Sequence, residues 1–166
     1  MRALITPRRA WCWAAVVWLA GCSTLPRPPQ AVTRYDLGAP AALAAPPAVA
    51  LPAVAMGPVQ APLLADGSTL VHYRLAYADA QVLRAYTQAR WSVPPAQMVQ
   101  QRLREHLTQG GRVVLSAAPG EALPSVQGRR VPVLRLALEE FSHVFTSAQD
   151  SVGWVRVRAT LVDPAP

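Results

Sequence analysis

The chain has 166 residues and a formal net charge of +7 at pH 7, and all sixteen of its basic residues are arginine. The arginines stand singly or in pairs, so the sequence lacks the basic run that marks a nucleic-acid-binding arm. This length supports one domain with its own hydrophobic core, and it excludes two domains of ordinary size.

The amino-terminal segment has the organisation of a secretory signal peptide. Arg2, Arg8 and Arg9 precede an apolar run from Trp11 to Leu19, and small residues follow the run. The run has about half of the roughly 20 residues that cross a bilayer as a helix. We therefore expect a cleaved signal and no transmembrane helix.

A cysteine directly follows this signal, in the order Leu19-Ala20-Gly21-Cys22. The order resembles the lipobox of bacterial lipoproteins, in which the cysteine is diacylated and becomes the first residue of the mature protein. The resemblance implies cleavage between Gly21 and Cys22, residues 1–21 as the signal peptide, and fatty acyl chains such as palmitate on Cys22. An ordinary signal followed by an incidental cysteine is the alternative.

Lipidation at Cys22 would leave the mature chain without a free thiol, because the other cysteine, Cys12, lies in the signal. Stability must then come from a packed core and not from a disulfide. The second mature residue is Ser23 and not aspartate, which resembles the outer-membrane address of enteric lipoproteins. We expect the anchor in the outer membrane, on its periplasmic face, in preference to the inner membrane.

Residues 22–32 are interpreted as a proline-rich tether, and residues 33–166 as the folded domain. The prolines of the tether favour extended polyproline II structure, which stiffens the spacer. A short strand is expected at Tyr35–Leu37. The apolar segment 49–59 predicts a strand that is buried on both faces or enters at a sheet edge, because prolines stand at positions 52 and 58.

A hairpin is predicted next, with strands at 70–75 and 82–86 and a turn at 77–80. Its strands carry the β-branched and aromatic residues that favour extended structure.

The clearest helix is predicted from Pro94 to Gln109. Two prolines suit the first helical turn, Ser92 is the candidate N-cap, and Gly110-Gly111 ends the helix. Apolar residues recur every three or four positions and predict one stripe that packs on the sheet: Ala96, Val99, Leu103 and Leu107. The polar residues are expected to face away from the sheet: Gln97, Gln100, Gln101, Arg104 and Glu105.

The carboxyl-terminal third predicts a strand at 112–116, a polar loop at 119–130, and a long antiparallel hairpin made of 131–146 and 152–162. Each long strand has one apolar face. The other face carries charges suited to cross-strand pairing, Arg135 and Glu139 opposite Arg156 and Arg158. We predict an α/β (α+β) fold, a single domain with a mainly antiparallel sheet and one main amphipathic helix packed on it.

In this order, the landmarks resemble the ABC-type transport auxiliary lipoprotein family. They are the lipobox, Tyr35-Asp36-Leu37, Tyr73-Arg74-Leu75, the segment from Arg90 to Pro95, the helix end from Leu103 to Leu107, and Leu138-Glu139-Glu140-Phe141. Members accompany an ATPase, a permease and an MCE-domain protein in systems, including the paraquat-inducible type, that move lipids between the two membranes. The resemblance therefore implies these proteins as partners.

Members of this family usually continue past the second long strand with another strand and a C-terminal helix. The sequence stops at Pro166, so either the family's tail is missing through truncation or a frame shift, or this is a shortened member. With that helix absent, one sheet face would lack its cover, which favours a partner, self-association into a homo-oligomer, or instability.

The sequence offers no constellation for catalysis, metal binding or a cofactor. The three histidines, His72, His106 and His143, are far apart and lack ligand-spaced neighbours. Glu139 and Glu140 are adjacent, so on a strand they are expected to point to opposite faces and not to act as a pair. No nucleophile elbow, Walker loop or dinucleotide-binding motif is present.

Three aromatic residues are the candidates for a partner or ligand surface. Trp91 precedes the diproline helix start, where it either stacks on a ligand or packs the helix onto the sheet. Tyr73 and Tyr86 either line a groove or lie on the solvent face of the hairpin.

We predict a non-enzymatic, membrane-anchored accessory of an ABC/MCE-type lipid transport system that maintains the outer membrane. Two alternatives come from other classes of protein. One is an envelope-assembly lipoprotein that clamps an outer-membrane protein, and the other is a hydrolase.

Overall fold

The computed structural model describes residues 31–40, 51–64 and 67–163. The predicted signal peptide, the lipobox with Gly21 and Cys22, and most of the predicted tether lie outside the described residues. The elements of the described part follow in this order: β1 (Thr33–Tyr35), β2 (Val54–Met56), β3 (Leu70–Leu75), α1 (Ala76–Asp79), β4 (Ala80–Trp91), α2 (Pro95–Gln109), β5 (Val114–Ser116), β6 (Ser125–Val126), β7 (Arg129–Arg130), β8 (Val133–Phe145) and β9 (Ser151–Val162).

Strand β8 is the centre of the main sheet, because three other strands pair with it. β9 runs antiparallel along its whole length, from the Val133–Val162 pair to the Phe145–Ser151 pair. The opposite edge of β8 is divided between two parallel partners: β3 pairs with residues 142–145, and β2 pairs with residues 133–134. β4 and β1 continue the sheet beyond β3, and β5 continues it beyond β2.

The α/β class and both predicted hairpins are confirmed. β3 and β4 are antiparallel, as are β8 and β9. The sheet is mixed, however, because β1 pairs parallel with β4, and β2 pairs parallel with both β5 and β8. These parallel pairs join segments far apart in sequence, whereas the hairpins depend on neighbouring segments.

The short strands differ in extent from their predicted ranges. β1 lies two residues earlier than the predicted Tyr35–Leu37, and the turn predicted at 77–80 is the single helical turn α1. The buried strand predicted within 49–59 is confirmed as β2, whose three residues are all buried. A strand this short can be buried on both faces because β5 and β8 satisfy its backbone on either side.

The polar loop predicted at 119–130 contains a small hairpin of β6 and β7. Its turn residues, Gln127 and Gly128, have φ angles of 52° and 76°. Two successive left-handed residues are characteristic of the type I′ turn that joins two-residue hairpins. Glycine is typical of this conformation and glutamine is unusual in it. Only one of the two turn residues, Gly128, therefore indicated the turn in the sequence.

Helix α2 begins and ends close to its predicted limits. Pro94 is the N-cap and no side chain caps the helix, so the prediction that Ser92 does so is wrong. At the other end, the Gly111 N–H donates to the Thr108 carbonyl and the Arg112 N–H donates to the Leu107 carbonyl. This is the Schellman arrangement, and it requires the positive φ of 78° that glycine supplies at Gly111.

The core forms where α2 packs on β2 and β8. Met98 and Val99 of the helix lie in one buried cluster with Met56, Leu138 and Phe141 of the two strands. Partly buried residues of the helix pack against this cluster, among them Ala96 and Leu103. Three residues of the predicted apolar stripe, Ala96, Val99 and Leu103, are therefore on the sheet side, with Met98 as a buried addition. Leu107, the fourth, is not part of this cluster.

Two polar residues of α2 do not face away from the sheet, so this part of the prediction is wrong. The Arg104 guanidinium is half-buried and donates to the Val114 carbonyl of β5, at 3.4 Å. The Gln100 side-chain oxygen accepts the Val59 N–H at 3.2 Å. Both side chains are long enough to reach past the apolar stripe to backbone groups that would otherwise lack a partner.

Leu103→Ala is expected to lower the free energy of unfolding by about 2 kcal/mol, because Leu103 packs on the core but stays partly exposed. Gln97→Ala, on the exposed side of the same helix, should change it by less than about 0.5 kcal/mol. Chemical denaturation of the two variants tests the orientation of α2. Equal losses would contradict that orientation.

Candidate functional site

An apolar groove of about 490 Å³ lies on the aromatic part of the sheet. β1, β3, β4, β8 and β9 all contribute to its lining, and the lining residues include no aspartate, glutamate or arginine. Its largest side chains are aromatic: Tyr35, Tyr86, Trp91, Phe141 and Trp154. Its volume is within the usual range for small-molecule sites, about 300–1,000 Å³.

Trp91 takes part in both the core and the groove. Its ring meets Phe141 edge-on, with centroids 5.1 Å apart, and it packs against the buried cluster under α2. It also lines the groove. Its indole Nε1 is buried without a hydrogen-bond partner among the described residues. Trp91 therefore packs the helix region onto the sheet, and one of its surfaces borders the groove.

The two candidate tyrosines form one cluster and are half-buried. The rings of Tyr73 and Tyr86 lie 4.6 Å apart, and the Tyr86 hydroxyl hydrogen-bonds Nδ1 of His143 at 2.9 Å. Phe145 adds an edge-on contact to Tyr73 and a tilted contact to His143. Tyr86 lines the groove, whereas Tyr73 contacts the Tyr86 ring without lining the groove itself.

A long bulge in β4 places Tyr86 at the groove. The register of β3 on β4 shifts between the pairs Leu70–Arg90 and His72–Ala85, so β4 carries extra residues at this point. The Arg90 guanidinium donates to three carbonyls of the bulge, those of Tyr86, Thr87 and Ala89. These hydrogen bonds satisfy backbone groups that the irregular ladder leaves unpaired.

A charged network lies next to the groove, on β3 and β8. Glu140 accepts two hydrogen bonds from the Arg74 guanidinium, at 3.1 and 3.3 Å, and a third from the buried Ser142 hydroxyl at 2.6 Å. The contact between Arg74 and Glu140 is bidentate, and a bidentate ion pair is stronger than one held by a single hydrogen bond. Because Ser142 donates to Glu140, its hydroxyl is not arranged as a nucleophile beside a histidine base.

The prediction that Glu139 and Glu140 point to opposite faces is wrong. The β8–β9 register shifts between Leu138 and Glu140, which is a β-bulge. Glu140 faces Arg156, while Glu139 forms an ion pair with Arg158, two residues further along β9. Residues two apart on a strand share a face, so the bulge turns both carboxylates toward the arginines of one side.

Burial and charge shift two pKa values in this network. Burial lowers the pKa of His72, with Glu140 opposing and Arg74 reinforcing the shift. For Glu140, burial alone would raise the pKa, but hydrogen bonds from Ser142 and Arg74 and the charges of Arg74 and Arg156 lower it overall. Both groups therefore bind protons less readily in the folded chain than in the unfolded chain.

The folded protein is expected to lose stability in acid in two stages. As the pH falls below about 6.5, the unfolded chain protonates His72 while the folded chain resists it, so unfolding becomes more favourable. Below about pH 4.3, the stability contributed by ionised Glu140 is lost as well. Denaturation at pH 7 and at pH 5.5 measures how much the free energy of unfolding falls between the two values. This fall should be smaller for His72→Gln than for wild type, and the exposed His106→Gln is the control. An equal fall in His72→Gln and wild type would contradict the assignment of the first stage to His72.

The histidines are closer together than the sequence indicated. His72 and His143 lie on adjacent strands and both border the groove, whereas His106 is exposed on α2. Among the described residues, no three metal-ligating side chains come together. In the same part of the chain, no helix has the length and apolar character to cross a membrane.

The β8 residues that line the groove, Phe141, Ser142 and His143, were not predicted as site residues from the sequence. Phe141 and His143 share one face of β8 with Phe145, whose ring contacts His143. The spacing of two aromatic rings around a histidine was the available signal. Phe141 contacts Trp91, the last residue of β4, which follows the bulge of that strand.

Comparison with known proteins identifies the family. The family model described as "ABC-type transport auxiliary lipoprotein component" matches residues 35–164. A crystal structure of a Xanthomonas campestris protein assigned to DUF330 shares the fold, with a TM-score of 0.56 at 15% identity over 78% of this chain and 67% of that chain. A second crystal structure, titled only as an uncharacterized protein, has a TM-score of 0.47 at 12% identity, over 82% and 84% of the two chains.

No protein of curated function matches the sequence. The family match begins at the last residue of β1 and spans all the later strands and helices of the described part, through β9. The chain is a member of the ABC-type transport auxiliary lipoprotein family.

Proposed function

We propose that the protein is a non-catalytic accessory of an ABC/MCE-type lipid transport system, and that it works by docking its folded domain onto an MCE-domain component. The observation that carries the proposal is the family match over residues 35–164. In this proposal the protein supplies a binding surface to the transporter, while the ATPase and permease supply energy and passage.

The surfaces of the domain support a binding role. β9 is exposed along its whole length and carries large apolar side chains in contact with solvent, among them Trp154, Val155 and Leu161. The groove beside it is apolar and open. Exposed apolar surfaces of this kind are typical of sites where another molecule binds.

Several polar groups near these surfaces are engaged in structural contacts. Arg158 neutralises Glu139, and Arg74 with Ser142 holds Glu140. His143 is hydrogen-bonded to Tyr86. Groups held in this way stabilise the sheet, and none is arranged to transfer a proton to a substrate in the groove.

The proposal places the protein on the outer membrane through acyl chains on Cys22, with residues 22–32 as the spacer. Ser23 in the second mature position supports the outer-membrane address. Two acyl chains would hold the protein stably, where a single chain gives only reversible binding.

Affinity purification from membranes in mild detergent tests the proposed role. Tagged wild type is expected to recover the MCE-domain protein with its permease and ATPase, and deletion of the gene should weaken the outer-membrane barrier to detergent. Single substitution of Asp79, Glu139, Glu140 or Asp150 should leave complementation largely intact. The proposal fails if no transporter component is recovered and one polar substitution abolishes activity in a stable, correctly localised protein.

The same purification separates the proposal from its alternative. An envelope-assembly lipoprotein that clamps an outer-membrane protein would recover a β-barrel protein in place of the transporter components. That result would assign the exposed hairpin to the barrel and would remove the transport role.

A further inference from the structure

An exposed apolar tip joins β3 to β4. It consists of residues 76–83, which form the single turn α1 and the first part of β4, and every one of them is exposed. Most of them are apolar or aromatic, and the largest, Tyr77, Val82 and Leu83, are 52%, 39% and 37% exposed. The tip contains no arginine or lysine, and its only charged residue is Asp79. Apolar side chains gathered on an exposed segment are typical of a surface that another molecule contacts.

Several polar groups of the tip are hydrogen-bonded within the protein. The Arg74 guanidinium donates to the carbonyls of Ala80 and Gln81, at 3.3 and 3.1 Å. The Asp79 carboxylate accepts the Gln81 N–H at 3.1 Å. Polar groups that already have a partner cost less to remove from water than free ones. The tip can therefore enter an apolar environment more readily than a loop of unpaired peptide groups.

The amino-terminal end of β1 points toward the same end of the sheet as the tip. β1 runs parallel to β4, its first residue, Thr33, pairs with Ala89, and the tip lies at the start of β4. β4 covers at most about 20 Å between Ala89 and Leu83, at about 3.3 Å per residue. Residues 22–32, which would join the anchor at Cys22 to β1, can span about 35 Å when extended. A tether of this length allows the tip to reach the bilayer that holds the anchor.

The turn between β8 and β9 lies at the same end and is polar. Phe145, the last residue of β8, pairs with Leu75, after which the tip begins. In the turn, the Ser147 hydroxyl donates to the Asp150 carboxylate at 2.8 Å. An apolar tip beside a polar turn suits the boundary between headgroups and acyl chains, where tyrosine is also enriched. This end of the sheet is less suited to the hydrocarbon interior.

We propose that the tip inserts into the headgroup boundary of the phospholipid bilayer that holds the Cys22 acyl chains. It would be a second, weaker contact that orients the domain, and it would be apolar because the tip has no basic residue. β3 and β8 lie between the strand that carries the tip and β9, so the contact does not involve the exposed side chains of β9. The inference rests on the proposed function, because that function supplies the anchor.

A protein partner is the other candidate for an apolar surface of this kind. The direction of β1 and the length of residues 22–32 favour the bilayer, because they bring this end of the sheet within reach of it. The opposite end, where β8 begins, would then face the periplasm and remain accessible to the transport system.

Fluorescence quenching on vesicles tests the proposed contact. The purified full chain is reconstituted in vesicles of phosphatidylethanolamine and phosphatidylglycerol, with an environment-sensitive fluorophore on Tyr77→Cys or Leu83→Cys. Val126→Cys is the matched control, because Val126 is as exposed as Leu83, at 37%, and lies in β6, close to the start of β8. Spin-labelled lipid should quench both tip labels and leave the Val126 label unchanged. Wild type labelled in parallel measures the background from its own cysteines.

Transfer of the protein between vesicles measures what the tip adds to the anchor. Tyr77→Ser/Leu83→Ser should leave donor vesicles about tenfold faster than wild type, because two partly buried apolar side chains are lost from the contact. Leu123→Ser/Val126→Ser, whose side chains are 50% and 37% exposed, should transfer at the wild-type rate. Omitting phosphatidylglycerol should leave the difference unchanged, because the contact is apolar. The quenching measurement stands even where a double variant fails to fold.

Equal quenching of the tip and Val126 labels in vesicle-bound protein, or equal transfer rates of the two double variants, would overturn the inference. Tip labels that are shielded only after transporter components are added would overturn it too, because the occupant would then be a protein. These results leave the proposed function untouched, because recovery of the transporter components is measured separately. Conversely, quenched tip labels without any recovered transporter component would keep the membrane contact and refute the transport role.

Discussion

Leu138→Ala is expected to lower the free energy of unfolding by about 3–5 kcal/mol, the upper part of the range for truncated core leucines. Leu138 is fully buried in the cluster between α2 and the sheet, and its N–H donates to the Gln60 carbonyl at 2.7 Å. It also directly precedes the bulge of β8. The substitution therefore leaves a cavity at a point where neighbouring strands hold the backbone in place, so the core cannot collapse to fill it.

Leu63→Ala is the matched control, because the same methylene groups are removed from a side chain that is 72% exposed. It should change stability by less than about 0.5 kcal/mol. Urea denaturation followed by circular dichroism measures both variants. A loss below about 1 kcal/mol for Leu138→Ala would show that the cluster is less tightly packed than described.

Cys22→Ala is expected to release the protein from the membrane fraction and to abolish incorporation of labelled palmitate. The reason is the loss of two acyl chains, each of whose buried methylenes contributes about 0.8 kcal/mol to membrane binding. Cys12→Ala is the control, because it removes the other thiol but leaves the lipobox intact. Equal labelling of wild type and Cys22→Ala would refute the lipoprotein assignment of this cysteine.

Local patterns made α2 and the long hairpin predictable. The apolar stripe and the two glycines after Gln109 specify a helix that ends in a Schellman arrangement, and both features lie within one short segment. β8 and β9 each alternate over a dozen residues with only a short connection between them. A regular apolar pattern, together with pairing between segments that are neighbours in the sequence, is enough to predict such elements.

The features that depended on distant partners were not predictable. Arg74 and Glu140 are 66 residues apart, and their contact requires the parallel pairing of β3 with β8. The β8 bulge changes which face Glu140 occupies. The only mark of it in the sequence is local: the leucines stand at even positions up to Leu138 and the phenylalanines at odd positions from Phe141, across two adjacent glutamates. Of the three aromatic residues proposed for a partner or ligand surface, Trp91 and Tyr86 line the groove, and Tyr73 contacts Tyr86. Their role in binding stays a prediction.

The position of β8 near the carboxyl end has a consequence for how the domain is made. β2 and β3 both have β8 as a parallel partner, and β8 begins only at Val133. During synthesis from the amino terminus, these earlier segments emerge long before the strand that joins them. Contacts between residues so distant in sequence form slowly. The main sheet is therefore completed only after most of the chain has been synthesised, although the β3–β4 hairpin and α2 depend on local segments alone.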